Sequence, residues 1–354
     1  MDITFLVGNG FDIAAGLNTG YTNFYTWYCN QPSPNEDVQS LKDNINEYIQ
    51  RVHNGADSNS ETWADFELGL GSYTAKFTTD NGNAFLQCRE DAFNNMIQYL
   101  ESEQNKFDVS SLSDHDFARI KTQLGNFYSE LQPNEQQEIK QIFNQTNNEN
   151  AMIKFISFNY TTVLDQVIQK ITKDPIKKWT YGSSTITYRI DPVILHIHGS
   201  LDEYPILAVS DETQIHNQDL LSITGFRESM IKSAGIQAVG RNWYKSATNA
   251  INNSRIICVF GMSLGASDKV WWEKLAAWLN GSSSRRLIIF HHLKNPIGRR
   301  SVTQYVISKN EVVDKLLSYS PLSEASKEQL KSRIYVAFNA SQILQLREKV
   351  PALV

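Results

Sequence analysis

The sequence has few cysteines, no long hydrophobic run and no excess of basic residues. Its three cysteines, Cys29, Cys88 and Cys258, are far apart and odd in number. This spacing excludes a C-x-x-C metal pair and a disulfide framework, and it indicates a reducing compartment. No stretch approaches the roughly 18 uninterrupted apolar residues of a membrane-spanning helix. We therefore expect no membrane partner.

The charge balance and the first residues of the sequence exclude further classes of protein. The formal net charge is −5, which argues against general nucleic-acid binding. The first residues, Met1–Val7, show no basic leader and no cleavage site, so we expect no signal peptide and a cytoplasmic location. With 354 residues, of which 41% are hydrophobic, the chain is long enough for one large α/β domain with an insertion or for two smaller domains.

Six short apolar runs bounded by polar or turn residues predict buried parallel strands. These runs are Ile3–Val7, Ile153–Phe158, Val193–Ile197, Arg255–Phe260, Leu287–Phe290 and Ile334–Phe338. Helical patterns lie between or after them, and the clearest one runs from Asp268 to Asn280, with apolar residues at helical spacing. The alternation predicts an α/β fold with a Rossmann-like parallel sheet flanked by helices.

Two segments interrupt this alternation. Residues from about 29 to 150 are polar with helix-like apolar spacing, which predicts a helical insertion after the first strand, with internal breaks at Asp57–Ser60 and Thr79–Gly82. A smaller insertion is predicted at about 200 to 252. The Rossmann-like core is then formed by residues 1–28 and 151–354.

The first predicted strand runs directly into a glycine-rich turn, Gly8-Asn9-Gly10, which a short helix follows. Glycines in such a turn let the backbone approach a phosphate, and the helix N-terminus favours its charge. The dinucleotide fingerprint is incomplete, because Ile13 replaces its third glycine and no acidic residue lies about 20 positions further on. A turn that only reverses the chain is the alternative.

The third predicted strand ends in His196-Ile197-His198-Gly199. Two histidines two positions apart point to the same side of a strand, and ligands bind at strand ends in open α/β sheets. Histidine has the pKa best suited to proton transfer near neutrality. We interpret His196 as a core imidazole bonded to the backbone and His198 as a functional residue. A metal site lacks a well-placed third ligand.

The second predicted strand ends in Asn159-Tyr160-Thr161. The amide of Asn159 could hold a water molecule or a ribose hydroxyl, and a structural role is the alternative. Thr161 or Thr162 could cap the helix predicted at Val163–Ile171.

The run from Gly261 to Gly265 has the G-x-S-x-G pattern of a serine hydrolase's nucleophile elbow. The acids that precede His291 and His292 are Asp268 and Glu273, both on the following helix, so a catalytic triad cannot be assembled convincingly. We interpret Ser263 and its neighbours as a second turn facing phosphate or ribose.

A helix is predicted to begin near Trp63, where Thr62 and Asp65 have the spacing of a capping box. Trp63 is most simply a core residue. Glu67, on the same helix, is a candidate for a pocket role.

Taken together and in order, these motifs resemble the bacteriophage abortive infection AbiH family. The matching segments are Gly8–Asp12, Gly16–Phe24, Trp63–Glu67, Ser157–Thr161, His196–Gly199 and Gly261–Leu264 with Asp268. The resemblance implies a role in bacterial defence, in which an infected cell is arrested or killed. It leaves open a phage-derived trigger, a partner defence protein and a homo-oligomer.

The same motif order is similar to the sirtuin fold and to sirtuin-like NAD-degrading domains. This resemblance implies that Asn159 and His198 are catalytic and that NAD is the substrate or ligand. The residues implied to contact it are Gly8, Asn9, Gly10, Phe11, Asp12, Tyr160, Thr161, Gly199, Gly261, Ser263 and Leu264. The chain departs from the sirtuin-like pattern at Thr161, where aspartate is expected, and it lacks the four zinc cysteines, which makes protein deacetylation improbable.

The resulting hypothesis is hydrolysis of NAD to nicotinamide and ADP-ribose, without a metal. Asp12 is a candidate for the charge that Thr161 does not supply. The alternatives are a module that binds NAD or ADP-ribose without cleaving it and a serine hydrolase that acts through Ser263.

Overall fold

A seven-stranded sheet organises the part of the chain that the structure describes. The structure is a computed structural model, and it describes residues 1–52, 63–145, 150–173, 175–181, 184–297, 301–340 and 343–347. The strand order is β3-β4-β2-β1-β5-β6-β7. The strands are β1 (Asp2–Val7), β2 (Ala151–Ser157), β3 (Lys177–Tyr181), β4 (Ser184–His196), β5 (Ser254–Phe260), β6 (Arg286–His291) and β7 (Ile334–Phe338).

Six of these strands are mutually parallel, whereas β3 pairs antiparallel with β4 at the edge. The predicted class, an α/β protein with a Rossmann-like parallel sheet flanked by helices, is confirmed. The sequence did not predict β3, because an edge strand does not need the continuous apolar run that marks a buried parallel strand.

The third predicted strand is much longer than expected. It was predicted as Val193–Ile197, and β4 runs from Ser184 to His196. The register against β2 shifts between Ile153 and Phe155, opposite the segment of β4 that contains Pro192. Proline has no backbone N–H to donate, so it occurs in strands mainly at edges and bulges. Because Pro192 interrupts the apolar pattern, the sequence did not predict the first half of β4.

The helices cover most of the remaining described chain. They are α1 (Gly10–Ala14), α2 (Tyr21–Cys29), α3 (Glu36–Val52), α4 (Trp63–Tyr73), α5 (Gly82–Gln104), α6 (Asp114–Gly125), α7 (Pro133–Asn144), α8 (Val163–Ile171), α9 (Phe226–Met230), α10 (Lys232–Ala238), α11 (Trp243–Asn253), α12 (Lys269–Asn280), α13 (Val302–Ser318) and α14 (Glu324–Lys331). The predicted bounds of α8 are confirmed, and those of α12 to within one residue. Within the described ranges, none of these helices combines the length and the apolar character that crossing a membrane requires.

Alternate residues of the strands supply two cores on opposite faces of the sheet. Phe5 and Phe155 contribute to the core beneath α6, α7 and α8. Leu6 and Ile156 contribute to the core beneath α11, α12 and α13. This alternation is expected for a pleated sheet that is covered on both sides.

A third core joins the two predicted insertions. Side chains from α3 to α5, including Phe66 and Phe85, pack with those of the preceding α2 against Leu207 and Phe226 of the second insertion. Because α6 and α7 pack on the sheet instead, the segment predicted at 29–150 divides between two cores. The predicted break at Asp57–Ser60 and the capping residue Thr62 lie outside the described residues.

Substitution of Gly10 by alanine should destabilise the fold by about 1–3 kcal/mol, because it overpacks a tight backbone contact. An added Cβ would lie 2.5 Å from Gly261 Cα. Gly20→Ala is the matched control: its Cβ would meet Asn23 Oδ1, a side-chain atom that can move, at 3.0 Å. Urea unfolding measures both variants, and an equal loss of stability would contradict this explanation.

Candidate functional site

The site lies at the carboxyl edge of the sheet, where the strand order reverses. The chain moves outward from β1 to β2 and β4 on one side of the sheet, then crosses back to β5 beside β1 and continues to β6 and β7 on the other side. The loops after β1 and β5 therefore meet at this reversal. Ligands of open α/β proteins bind in the crevice at such a point.

The two glycine-rich turns pack directly on each other. Gly8 N donates to Phe260 O and Gly10 N donates to Gly261 O, both at 2.9 Å. A Cβ on Gly8 would lie 2.7 Å from Met262 Cγ. The absence of side chains at Gly8 and Gly10 is thus explained by the close approach of the two turns, which is independent of any phosphate.

Asn9 holds the segment that follows α1. Its Nδ2 donates to Thr19 O at 2.9 Å, and Thr19 Oγ1 donates to Asn9 Oδ1 at 2.6 Å. Trp63 Nε1 donates to the same Thr19 carbonyl at 3.0 Å. Asn9 therefore links the first turn to α4 of the helical insertion.

A group of buried polar residues, here called the Asp12 cluster, comprises Asp12, Asn159, Thr161, His196 and Asp165. Asn159 Nδ2 donates to Asp12 Oδ1 at 3.1 Å, and Thr161 Oγ1 donates to Asp12 Oδ2 at 2.5 Å. Asp12, Asn159 and Thr161 are all at most 5% exposed. The two carboxylate oxygens of Asp12 thus bind both side chains that the sequence singled out after β2.

Burial raises the pKa of Asp12 to about 7, although the hydrogen bonds from Thr161 and Asn159 oppose the shift. A carboxyl group with a pKa near neutrality exchanges protons readily at physiological pH. Such perturbed groups are concentrated at functional sites.

His196 supports the Asp12 cluster from the sheet. One ring nitrogen, Nδ1, lies 3.0 Å from Asn159 O, and Nε2 lies 3.0 Å from Asp165 Oδ2. Burial opposes its charge, but Asp165 outweighs burial and raises the pKa of the ring. The contact with backbone agrees with the sequence interpretation, whereas the carboxylate partner was not foreseen.

A second buried group, here called the Lys232 cluster, comprises Glu67, His198, Lys232 and Asp268. Lys232 Nζ lies 2.9 Å from both Glu67 Oε2 and Asp268 Oδ1. Asp268 Oδ1 is also 3.1 Å from His198 Nε2, without a well-aligned hydrogen bond. The cluster brings His198 together with side chains from both insertions.

Burial, together with the charge of Lys232, keeps His198 neutral near pH 7. Burial and the charge of Lys232 lower the pKa of His198, and together they outweigh Asp268. Burial opposes ionisation of Asp268, but Lys232 and His198 outweigh it and lower the pKa of that carboxyl group. Burial raises the pKa of Glu67 to about 7 despite the opposing charge of Lys232.

The two histidines of the H-x-H-G segment have different surroundings, contrary to the expectation that both point to one side. That expectation requires an extended strand through both residues, but β4 ends at His196. His198 contacts the rings of Phe158 and Tyr160, with centroids 5.5 and 6.3 Å away. Gly199, with a φ of +73°, then turns the chain.

The remaining predicted contact residues are engaged with the protein itself. Phe11 is fully buried in the core, and Tyr160 donates from its hydroxyl to Ile206 O at 2.9 Å. The carbonyls of Ser263 and Leu264 accept hydrogen bonds from Lys315 Nζ and the Tyr319 hydroxyl, at 3.0 and 3.1 Å. The turn after β5 is thus held by α13, and the Ser263 side chain is exposed.

The sequence did not single out Lys232 or Asp165. Lys232 begins a helix whose pattern is ordinary for an insertion, so no local signal marks it as a site residue.

Within the described ranges, no group of three or more His, Cys, Asp or Glu side chains could hold a metal ion. Two cavities of about 270 and 380 Å³ lie elsewhere, one beside β4 and α11 and the other beside α3 and α4.

The fold and the site define a Rossmann-like α/β protein with buried polar clusters at the reversal of strand order. A family model described as bacteriophage abortive infection AbiH matches residues 4–290, and the chain belongs to this family. The resemblance to the AbiH family is thereby confirmed, and membership supports a role in anti-phage abortive infection. No curated protein matches the chain.

Substitution of Asp12 by asparagine should remove a pH dependence of stability. The folded pKa of about 7 exceeds the ordinary value of 3.8, so the folded protein keeps a proton that the unfolded chain releases. Stability therefore falls as pH rises from about 4 to 7, by an amount on the order of a few kcal/mol.

Thermal unfolding from pH 4 to pH 8 checks this expectation. The difference in melting temperature between Asp12→Asn and the wild type should shift in favour of the variant as pH rises. Glu67 titrates in both proteins and cancels in this comparison. A difference that stays constant over the whole pH range would show that Asp12 does not keep its proton on folding.

Proposed function

We propose that this protein acts in abortive infection by hydrolysing NAD to nicotinamide and ADP-ribose. The strand order supports a dinucleotide ligand. Without the antiparallel β3, the parallel strands follow the order 3-2-1-4-5-6 when numbered along the chain. The dinucleotide-binding Rossmann folds have this order, and they bind their ligand at the point where the order reverses. Here that point is flanked by the turns at Gly8–Gly10 and Gly261–Gly265.

The observation that carries the proposal is a pair of buried polar atoms, in the loops after β2 and β4, that lack a well-formed hydrogen bond. Asn159 Oδ1 and His198 Nε2 are both buried. Among the residues that the structure describes, Asn159 Oδ1 has no hydrogen-bond partner, and His198 Nε2 has only the poorly aligned 3.1 Å contact with Asp268 Oδ1. An unpaired buried acceptor costs about 1–3 kcal/mol, so native proteins rarely keep one without a reason. A bound ribose hydroxyl or the attacking water would satisfy Asn159 Oδ1 and would give His198 Nε2 a better-aligned partner.

The chemistry requires little from an acid catalyst. The bond between ribose C1′ and the nicotinamide nitrogen breaks, and its electron pair leaves with nicotinamide, which becomes neutral. The barrier lies in an oxocarbenium-like ribose, as in other glycosyl transfers. A water oxygen bonds to C1′ and releases one proton.

Asn159 can position the ribose or the water molecule, and His198 can accept the proton. Asn159 Nδ2 is occupied by Asp12, so Oδ1 is left to accept from a ribose hydroxyl or a water molecule. His198, whose pKa is lowered by burial and by Lys232, is neutral near pH 7 and can take the proton from water.

Asp12 can supply the carboxyl group that the sirtuin-like pattern places at the position of Thr161. That pattern places an aspartate where this chain has threonine, and the threonine hydroxyl donates to Asp12 in the structure. A carboxyl group from α1 therefore occupies the neighbourhood in which the resemblance expects one.

Substitution of His198 by alanine should reduce NAD hydrolysis by about 10²–10⁴-fold, the usual contribution of general-base catalysis. Asn159→Ala should cause a loss of similar size. His115→Ala is the control, because His115 is exposed on α6 and should leave turnover unchanged. Chromatographic measurement of released nicotinamide checks all three variants.

The outcomes also separate the alternative functions. Parent-rate hydrolysis by the His198 variant would refute the assignment of the base. Binding of NAD by the wild type without nicotinamide release would favour a sensor. Labelling of Ser263 by a fluorophosphonate, lost in Ser263→Ala, would favour a serine hydrolase.

In bacteria that express the protein, phage infection should lower cellular NAD, and His198→Ala should prevent both this fall and the protection. Plaque counts and NAD extraction measure the two effects with a phage that the wild-type protein restricts. Protection that persists at full strength in the His198 variant would separate defence from hydrolysis.

A further inference from the structure

The Lys232 cluster joins four parts of the chain that are distant in sequence. Glu67 belongs to α4, Lys232 begins α10, His198 follows β4 and Asp268 directly precedes α12. Glu67 and Lys232 are separated by 165 positions. The contact therefore depends on both insertions packing against the Rossmann-like core.

All the donors of Lys232 are used within this cluster. Its ammonium group donates to Glu67 Oε2 and Asp268 Oδ1 at 2.9 Å and to Ser267 O at 3.2 Å. A lysine ammonium group has three N–H donors, so none is left for another partner. Lys232 is thus fixed in one position, and it fixes both the backbone and the side chain at the start of α12.

The same carboxylate oxygen faces His198. Asp268 Oδ1 lies 2.9 Å from Lys232 Nζ and 3.1 Å from His198 Nε2. The imidazole is confined on other sides by the rings of Phe158 and Tyr160. Its orientation is therefore set by two rings and by a carboxylate whose own place is set by Lys232.

We propose that Lys232 and Glu67 are positioning residues for NAD hydrolysis: Lys232 holds the Asp268 carboxylate against His198, and Glu67 holds Lys232. This inference rests on the proposed function, because it takes His198 as the base. It makes the two insertions part of the catalytic centre.

Stability alone does not account for this arrangement. A buried ion pair is weak support for a fold, since apolar residues of similar volume are often as stabilising or more so. Apolar and aromatic side chains, among them Phe66 and Leu70, already pack α4 into the third core. The charges are placed where they act on His198.

Removal of Lys232 changes the charge that His198 meets. The charged groups that face the ring are Lys232 from α10 and Asp268 from the turn before α12, with Glu67 of α4 behind Lys232. Tyr160 also faces the ring and is neutral, because burial raises the pKa of its hydroxyl well above the ordinary value. Without Lys232, Asp268 acts on His198 unopposed, so the pKa of the imidazole rises and more of it is protonated at pH 7.

The test is Lys232→Met, with histidine titration followed by NMR of isotope-labelled protein. The chain has seven histidines, and the resonance of His198 is the one missing from His198→Ala. We expect the pKa of His198 to move upward. NAD hydrolysis at pH 7 should fall by about tenfold or more, since general-base catalysis contributes about 10²–10⁴-fold. Part of this loss should be recovered at alkaline pH.

Two further variants keep the experiment decisive. If Lys232→Met does not fold because it leaves buried carboxylates unpaired, Glu67→Gln combined with Lys232→Met removes one charge of each sign and preserves the net charge. Lys309→Met is the matched control: it breaks a 2.8 Å ion pair with buried Glu135, between α13 and α7, outside the Lys232 cluster. It should leave the His198 pKa unchanged.

An unchanged His198 pKa in a folded variant that lacks Lys232 would overturn the proposal, as would an equal shift in Lys309→Met. If the wild type releases no nicotinamide from NAD, the proposed function fails. The titration, which needs no turnover, would still decide whether Lys232 sets the state of His198.

Discussion

The backbone contact between the turns after β1 and β5 is the constraint on which the site depends. Gly10 N donates to Gly261 O, and the two turns approach so closely that neither tolerates a side chain at the contact. Asp12 lies two residues after Gly10, and Asp268 lies seven residues after Gly261. The contact therefore places two carboxylates at the same edge of the sheet, each directed to a different polar cluster.

Burial governs the chemistry of both clusters. Charged groups lose hydration on burial, so each ionised side chain needs a partner or a shifted pKa. Burial raises the pKa values of Asp12 and Glu67 to about 7, whereas Asp268 remains ionised because Lys232 is adjacent. The Asp12 cluster thus contains a carboxyl group with a pKa near neutrality, and the Lys232 cluster contains a neutral imidazole.

The sequence predicted which residues lie at the carboxyl edge of the sheet, but it did not predict the full extent of β4 or the presence of β3. Asn159 and His198 follow buried apolar strands, and parallel strands bring their carboxyl ends to one edge, so their shared location could be inferred from pattern alone. The longer β4 could not be inferred, because Pro192 interrupts its pattern, and β3 carries no buried run. Whether NAD is the substrate stays a prediction.

Local pattern determined the α/β class, the glycine turns and the motifs of the AbiH family, because each depends on residues close together in the chain. Only the tertiary structure decided that Asp12 binds Thr161 and Asn159, and that Lys232 joins Glu67 to Asp268. These pairs are separated in sequence by 36 to 165 positions. Hydrophobic periodicity reports which face of an element is buried, but not which polar side chains meet when buried faces from distant segments pack together.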